Sequence, residues 1–371
     1  MTGHNIFKYT QVKYFIIRQV SIIMEKTYHE KVKIENELKL RAMAKELPRF
    51  CQEFFLGTEH TTSSRTRLAY AYDLGIFFSF LQENNPVCQK YEITNIPISF
   101  LDMITPLDIE EYLNYLKFYT KDGVEHTNDE RGISRKLASL RSFYNYFFRK
   151  QMIKTNPPDL VKPPKLHEKE IIRLDVDEVA MLLDEVESGE KLTPHQLAYH
   201  EQTKLRDLAL LSLLLGTGIR VSECVGIDIN DLDFKNNGVK VHRKGGAEVI
   251  VYFNDEVADA LLDYLDVRNE TEAVEGHANA LFLSMQRKRM SVRSVEKLVK
   301  KYAQLVTTVK RITPHKLRST FGTNLYQETG DIYLVADVLG HKDVNTTRRH
   351  YAAQADARRR QAAKMVQLRD N

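Results

Sequence analysis

The chain has 371 residues, 43% of them hydrophobic and 28% charged, with a formal net charge of +4 and an isoelectric point near 8.7. That length leads us to expect two or three domains, each with its own core, and the composition excludes disordered, collagenous and membrane-embedded classes. The mild positive balance permits a nucleic-acid partner, and the three widely spaced cysteines, Cys51, Cys88 and Cys224, give neither a disulfide framework nor a zinc spacing, so a reducing cytoplasm is the expected compartment.

In chain order, "YFIIRQVSIIM" comes first. It is apolar but interrupted by Arg18, too short to span a bilayer, and lacks a small-residue cleavage site. Residues 1–28 therefore read as an N-terminal extension, with Met24 an alternative start to Met1. Helical periodicity follows. "EKVKIENELKLRAMAKELPRFCQEFFL" places apolar residues at three-to-four spacing, and "SSRTRLAYAYDLGIFFSFLQE" opens on a serine cluster that suits a helix start. "TPLDIEEYLNYLKFY" opens with Thr-Pro-x-Asp. "ISRKLASLRSFYNYFFRKQM" aligns Leu137, Leu140, Phe143, Tyr144 and Phe147 on one side, with charge from Arg135, Lys136, Arg141 and Arg149. Together these predict an all-helical domain over residues 29–155. The proline-rich "TNPPDLVKPPKLHEKE" then reads as a linker, residues 156–171.

Residues 172–371 are mixed. "RLDVDEVAMLLDEVE" and "LRDLALLSLLLGTG" predict helices, the second ending at Gly216, and "GVKVHRKGGAEVIVYF" predicts a β-hairpin turning at Lys-Gly-Gly. "ALFLS" is a candidate strand. "SVRSVEKLVKKYAQL", "TPHKLRSTFGTNLYQET", "IYLVADVLG" and the C-terminal stretch return to helix. The fold class expected is mainly α with a small β-hairpin or sheet, in two domains.

Four segments of this half carry polar groups that call for explanation. "GTGIRVSE" places Arg220 after a Gly-x-Gly break, with Glu223 as a buried support. "HRKGGAE" puts Lys244 at the hairpin tip. "HKLR" sets His315 and Arg318 one turn apart on a helix face. "LGHKDVNTTRRHYAA" puts His341 just past a helix end and Tyr351 ten residues on. Singly, each also fits a structural role: a packed arginine, a solvated lysine, a core tyrosine.

In this order, however, Arg, Lys, His-x-x-Arg, Leu-Gly-His and Tyr resemble the signature of the tyrosine recombinases, the family of phage integrases and Xer proteins. The resemblance spans about residues 172–365, and more loosely the helical first half, which is similar to the family's core-binding domain. One departure is an interval from His341 to Tyr351 that is a residue longer than the commonest spacing. The resemblance implies a site-specific DNA recombinase that cuts and rejoins strands through a 3′-phosphotyrosyl link. Arg220 and Arg318 would clamp the nonbridging phosphate oxygens, as permanently charged, bidentate groups can. Lys244 would protonate the 5′-oxygen. His315 would bond the phosphate and assist proton transfer at the tyrosine, His341 would donate a further hydrogen bond, and Tyr351 would be the nucleophile. Bond energy kept in the covalent link removes any need for ATP. No cofactor and no metal is expected, the arginines taking the metal's electrostatic part.

The resemblance further implies double-stranded DNA with a specific core site as partner, contacted through Arg65, Arg67, Arg135, Lys136 and Arg141. It also implies a homotetramer on paired sites, and a C-terminal tail, "AAQADARRRQAAKMVQL", exchanged between protomers. Each basic residue also fits a solvated charged face, and the tail also fits a helix packed on its own domain. No membrane association is expected, and the location implied is the bacterial cytoplasm and nucleoid. A Xer-like chromosome-dimer resolvase and a mobile-element integrase both remain open. A type IB topoisomerase and a noncatalytic DNA-binding protein are the alternatives outside the recombinases.

Overall fold

The structure is a computed structural model that describes residues 26–121, 123–167, 172–243 and 246–341, with Asp343, Val344 and Thr347 beyond them. The N-terminal extension up to residue 25, the end of the expected linker, Lys244, Tyr351 and the C-terminal tail lie outside the described residues. The chain divides into two compact units, with the boundary between residues 168 and 169.

The first unit is built from α1 (Tyr28–Ala44), α2 (Cys51–Gly57), α3 (Ser64–Asn84), α4 (Pro106–Tyr115), α5 (Glu130–Arg149) and the short α6 (Pro157–Leu160). Local signals set the helix starts. The Thr27 and Thr105 side chains form capping boxes with Glu30 and Asp108, and Asp129 accepts from the Gly132 amide at 3.0 Å to open α5. Along α5, Ile133, Leu137, Leu140, Phe143, Tyr144 and Phe147 are buried at three-to-four spacing, so one face enters the core. There Phe143 meets the rings of Phe50, Phe54, Phe78 and Phe147 at centroid distances of 5.2–6.2 Å.

The unit is not all-helical. After α4 the chain forms an antiparallel hairpin, β1 (Phe118–Lys121) with β2 (Val124–Thr127), in which Lys121 pairs with Val124. Gly123 takes φ +74°, the left-handed conformation such a tight turn demands. The expected linker also begins inside the unit: Pro157, Pro158 and Val161 are buried.

In the second unit α7 (Val176–Ser188) and α8 (Pro194–Thr217) are followed by a four-residue helix, α9 (Val221–Cys224). A three-stranded antiparallel sheet comes next, in the order β3 (Leu232–Asp233), β4 (Gly238–His242), β5 (Glu248–Tyr252). Then come α10 (Asp255–Glu270), α11 (Val292–Val306), α12 (Pro314–Thr329) and α13 (Ile332–Leu339). The hairpin predicted from sequence is β4–β5, paired from Gly238↔Tyr252 to His242↔Glu248. The central element is α8, whose residues Ala209–Leu215 are all buried and which packs against α7, α10 and α12. A helix apolar all round belongs in a core.

Two expectations are corrected here. The run "ALFLS" is no strand. Ala280 and Leu283 make only isolated bridges, to Asp228 and Arg289. And α8 runs one residue past Gly216, to Thr217, where Gly218 caps it at φ +62°.

Replacing Phe143 with Ala removes the ring at the centre of the aromatic cluster. We expect the first unit to lose about 3–5 kcal/mol of stability in chemical denaturation. A loss below about 1 kcal/mol would show that the cluster is not the core described.

Candidate active site

The site begins where α8 stops. Gly218 turns the chain, and a Cβ there would collide with Phe321 of α12 and Leu339 of α13, so glycine is required by both conformation and space. Arg220 follows as the cap of α9. The Glu223 carboxylate, 4% exposed, accepts from the Arg220 amide at 2.9 Å and from Nη1 at 2.7 Å. Arg220 Nη2 reaches the carbonyl of Gly340 at 3.4 Å, and a third of the side chain (34%) stays exposed. Glu223 therefore has the supporting role expected of it. The next residue, Cys224, is buried, and burial followed by the Glu223 charge pushes its thiol pKa up. It is a packing group.

On α12, His315 stands exposed in the first turn while Arg318, one turn on, is 5% exposed. Arg318 Nη1 donates to the carbonyl of Gly218 at 2.6 Å, and Nη2 donates to the carbonyl of Leu339. The two arginines, nearly a hundred residues apart in sequence, thus end on the carbonyls of adjacent residues, Leu339 and Gly340. His341 follows directly. It is half-buried, with Nδ1 2.7 Å from Oγ1 of the buried Thr347. Gly340 caps α13 at φ +63°.

The structure thus brings Arg220, Arg318 and the Leu339–Gly340–His341 turn together and places His315 on the same helix as Arg318. Strand β4 reaches the turn as well. Arg243, its extension, donates Nη2 to the carbonyl of Val338 at 2.6 Å and Nη1 to that of Asp337 at 3.3 Å. Sequence reading stopped at Lys244 and passed over Arg243, although it stands immediately before the lysine in "HRKGGAE". Thr347 was also missed. Among the described residues no cluster of three or more His, Cys, Asp or Glu side chains can hold a metal ion.

The five basic residues singled out in the first unit have diverse surroundings. Arg65 is exposed. Arg67 is 4% exposed and bonded to Glu37. Arg135 grips the buried Asp73 through two bonds, of 2.5 and 2.8 Å, and Ser139 donates to the same carboxylate at 2.6 Å. Lys136, 7% exposed, donates to Asn128 Oδ1 at 2.7 Å, and burial pulls its amine pKa down. Arg141 pins the start of the linker by donating to the carbonyls of Pro158 at 3.0 Å and Val161 at 2.6 Å.

Comparison with known proteins gives the family. The phage integrase family model matches residues 172–358. A tyrosine recombinase XerC of Caldanaerobacter subterraneus subsp. tengcongensis is 36% identical over 308 residues, which cover 81% of this chain and 82% of that protein. A tyrosine recombinase XerD of Staphylococcus epidermidis is 29% identical over 79% of this chain and 89% of its own. Among solved structures, XerH site-specific recombinase bound to palindromic difH substrate, a post-cleavage complex, shares the fold. Its TM-score is 0.62 at 17% identity, over 82% of this chain and 80% of that one. The Tn1549 transposon integrase in complex with circular intermediate DNA gives 0.59 at 22% identity, over 85% and 99%. The chain belongs to the phage integrase family, the tyrosine recombinases, and is a site-specific DNA recombinase. The topoisomerase and noncatalytic alternatives are not favoured. No helix among the described residues is long and apolar enough to cross a membrane.

Glu223 is the sole carboxylate bonded to Arg220 among the described residues. Glu223→Ala leaves the part-buried Arg220 amide and one guanidinium edge without their acceptor, and we expect about 1–3 kcal/mol lost from the second unit in urea titration. No loss would mean that water replaces the carboxylate freely.

Proposed function

We propose that Arg220, Arg318, His315 and His341, with Lys244 and Tyr351, form the strand-cleavage site. The observation that carries this reading is the convergence of Arg220 and Arg318 on adjacent carbonyls beside His341. Lys244 and Tyr351 enter by their place in the family pattern.

The Tyr351 hydroxyl attacks the scissile phosphorus, a P–O bond to tyrosine forms, and the bond to the 5′-oxygen breaks. A 3′-phosphotyrosyl link and a free 5′-hydroxyl result. Negative charge grows on the nonbridging oxygens as the attack proceeds. Two guanidiniums held in advance stabilise that charge without reorganisation, and such stabilisation often contributes more to catalysis than any other effect. Lys244 gives a proton to the leaving 5′-oxygen, which as an alkoxide would be a poor leaving group. His315 helps take the tyrosine proton, and His341 bonds the phosphate. Rejoining runs the same steps backwards with the partner strand's 5′-hydroxyl as nucleophile.

The substrate is double-stranded DNA with a specific core site. In the first unit, Arg65 is the better candidate for backbone contact, because it is exposed, while Arg67 and Lys136 are buried and the Arg135 guanidinium is held by Asp73. Arg141 has an exposed part as well but holds the linker. The working form is a homotetramer on paired sites, linked by exchange of the C-terminal tail, in the bacterial cytoplasm on the nucleoid. A Xer-like role is favoured over mobile-element integration by the identity to proteins of Xer name.

The test is trapping on nicked duplexes drawn from the chain's own genomic neighbourhood, without metal or ATP. We expect an adduct that mass spectrometry maps to Tyr351 and that Tyr351→Phe abolishes while duplex binding is kept. Arg318→Ala should slow its formation by about 10²–10³-fold. An adduct on another residue, or one that survives Tyr351→Phe, overturns the assignment of the nucleophile.

A further inference from the structure

The last turn of a helix leaves carbonyls that the helix cannot satisfy itself. In α13 two are met by the chain's own return: Gly340 N–H donates to Asp337 at 2.8 Å and His341 N–H to Ala336 at 2.9 Å, the Schellman arrangement. The next three carbonyls are each met by an arginine. Val338 accepts from Arg243 at 2.6 Å, Leu339 from Arg318, and Gly340 from Arg220 at 3.4 Å. The recombinase signature contains the second and third of these arginines. It does not contain the first.

Arg243 is built into this position. A Cβ on Gly340 would run into its guanidinium, so the glycine that turns the chain also makes room for it. Among the described residues its Nε is buried without a hydrogen-bond partner, a cost borne to keep the group against the turn. Its backbone is fixed from the other side: the Arg243 amide donates to the Ala247 carbonyl at 2.8 Å, across the hairpin.

We propose that Arg243 is a positioning residue of the cleavage site. It fastens the end of β4 to the last carbonyls of α13 and so holds the Leu339–Gly340–His341 turn, on which Arg220 and Arg318 rest. The proposal rests on the reading of Arg220 and Arg318 as the phosphate clamp. Without Arg243 the Val338 carbonyl returns to water and the turn gains freedom, carrying both guanidiniums with it. Misplacement by about 1 Å is enough to cost on the order of 10²-fold in rate. Lysine would restore one of the two bonds, not both, because a single ammonium lacks the planar fork.

The experiment compares Arg243→Ala, Arg243→Lys, Arg318→Ala and the unaltered protein in single-turnover cleavage of a nicked duplex carrying the trapped site. Two versions are used, one with the ordinary scissile phosphate and one in which a methyl group replaces a nonbridging oxygen and removes the charge. Hydrogen exchange of the DNA-free proteins is read alongside. We expect Arg243→Ala to slow cleavage of the charged substrate by about 10–100-fold and that of the neutral one far less, because the displaced guanidiniums then have less charge to stabilise. Arg243→Lys should fall between, duplex affinity should be unchanged, and the Gly340 and His341 amides should exchange faster while those of α8 stay protected.

Equal slowing on both substrates, with faster exchange throughout the second unit, would overturn the proposal in favour of general loosening. Cleavage at the unaltered rate overturns it whatever the exchange shows. If Arg318→Ala discriminates between the substrates and Arg243→Ala does not, only the role of Arg243 falls. If Arg318→Ala does not discriminate either, the clamp falls and this proposal with it.

Discussion

The carboxyl end of α13 is where the second unit's separate parts are tied together. Three arginines come to it from three elements: Arg220 from the cap of α9, Arg243 from the end of β4 and Arg318 from α12. The helix end offers carbonyls with a partial negative charge, and a carbonyl holds a guanidinium in place without cancelling its charge. A carboxylate would hold it more tightly and neutralise it. Arg318 donates to two carbonyls, those of Gly218 and Leu339, and so is fixed in a nearly buried place. Arg220 is held differently, by Glu223, and is the more exposed of the two. The two glycines, Gly218 and Gly340, make these approaches possible, each by a left-handed turn and by the absence of a side chain.

Much of this could be read from the sequence, and the parts that could not have physical reasons. The start of α4 was legible because capping is local: Thr105 and Asp108 are three residues apart. The site segments were legible because each is short and the family writes them in a fixed order. The β1–β2 hairpin was not read, although Asp122–Gly123 is a turn signal. Its strands have four residues each, and only Tyr119 is buried, so there is almost no alternation to see. The run 280–284 misled for the opposite reason. It is apolar and buried like a core strand, but its neighbourhood is satisfied by side chains. Arg268 donates to the Ala280 carbonyl at 3.0 Å, Tyr264 to that of Leu281 at 3.1 Å and Arg206 to that of Leu283 at 2.9 Å. Nothing in a single sequence tells a carbonyl's strand partner from a distant arginine.

Charge was the least legible feature of all. Arg67 pairs with Glu37, and Arg135 with Asp73, across 30 and 62 residues. A helical face rich in lysine and arginine looks the same on paper whether its cations face solvent or acids from another helix. The same blindness hid Arg243, one position from a residue that the family pattern did single out. Among the described residues Arg67, Lys136, Arg268 and Arg318 are buried, so a count of positive charge overstates what is left for DNA.

The most direct measurement is a crystal structure of the chain bound to a duplex containing its core site, with Tyr351 replaced by Phe to halt the reaction. We expect the scissile phosphate within hydrogen-bonding distance of both the Arg220 and Arg318 guanidiniums, with Arg318 still donating to Leu339 and Arg243 to Val338. A phosphate bound elsewhere, or an α13 carboxyl end that has shed its arginines, would contradict the view that this helix end organises the site.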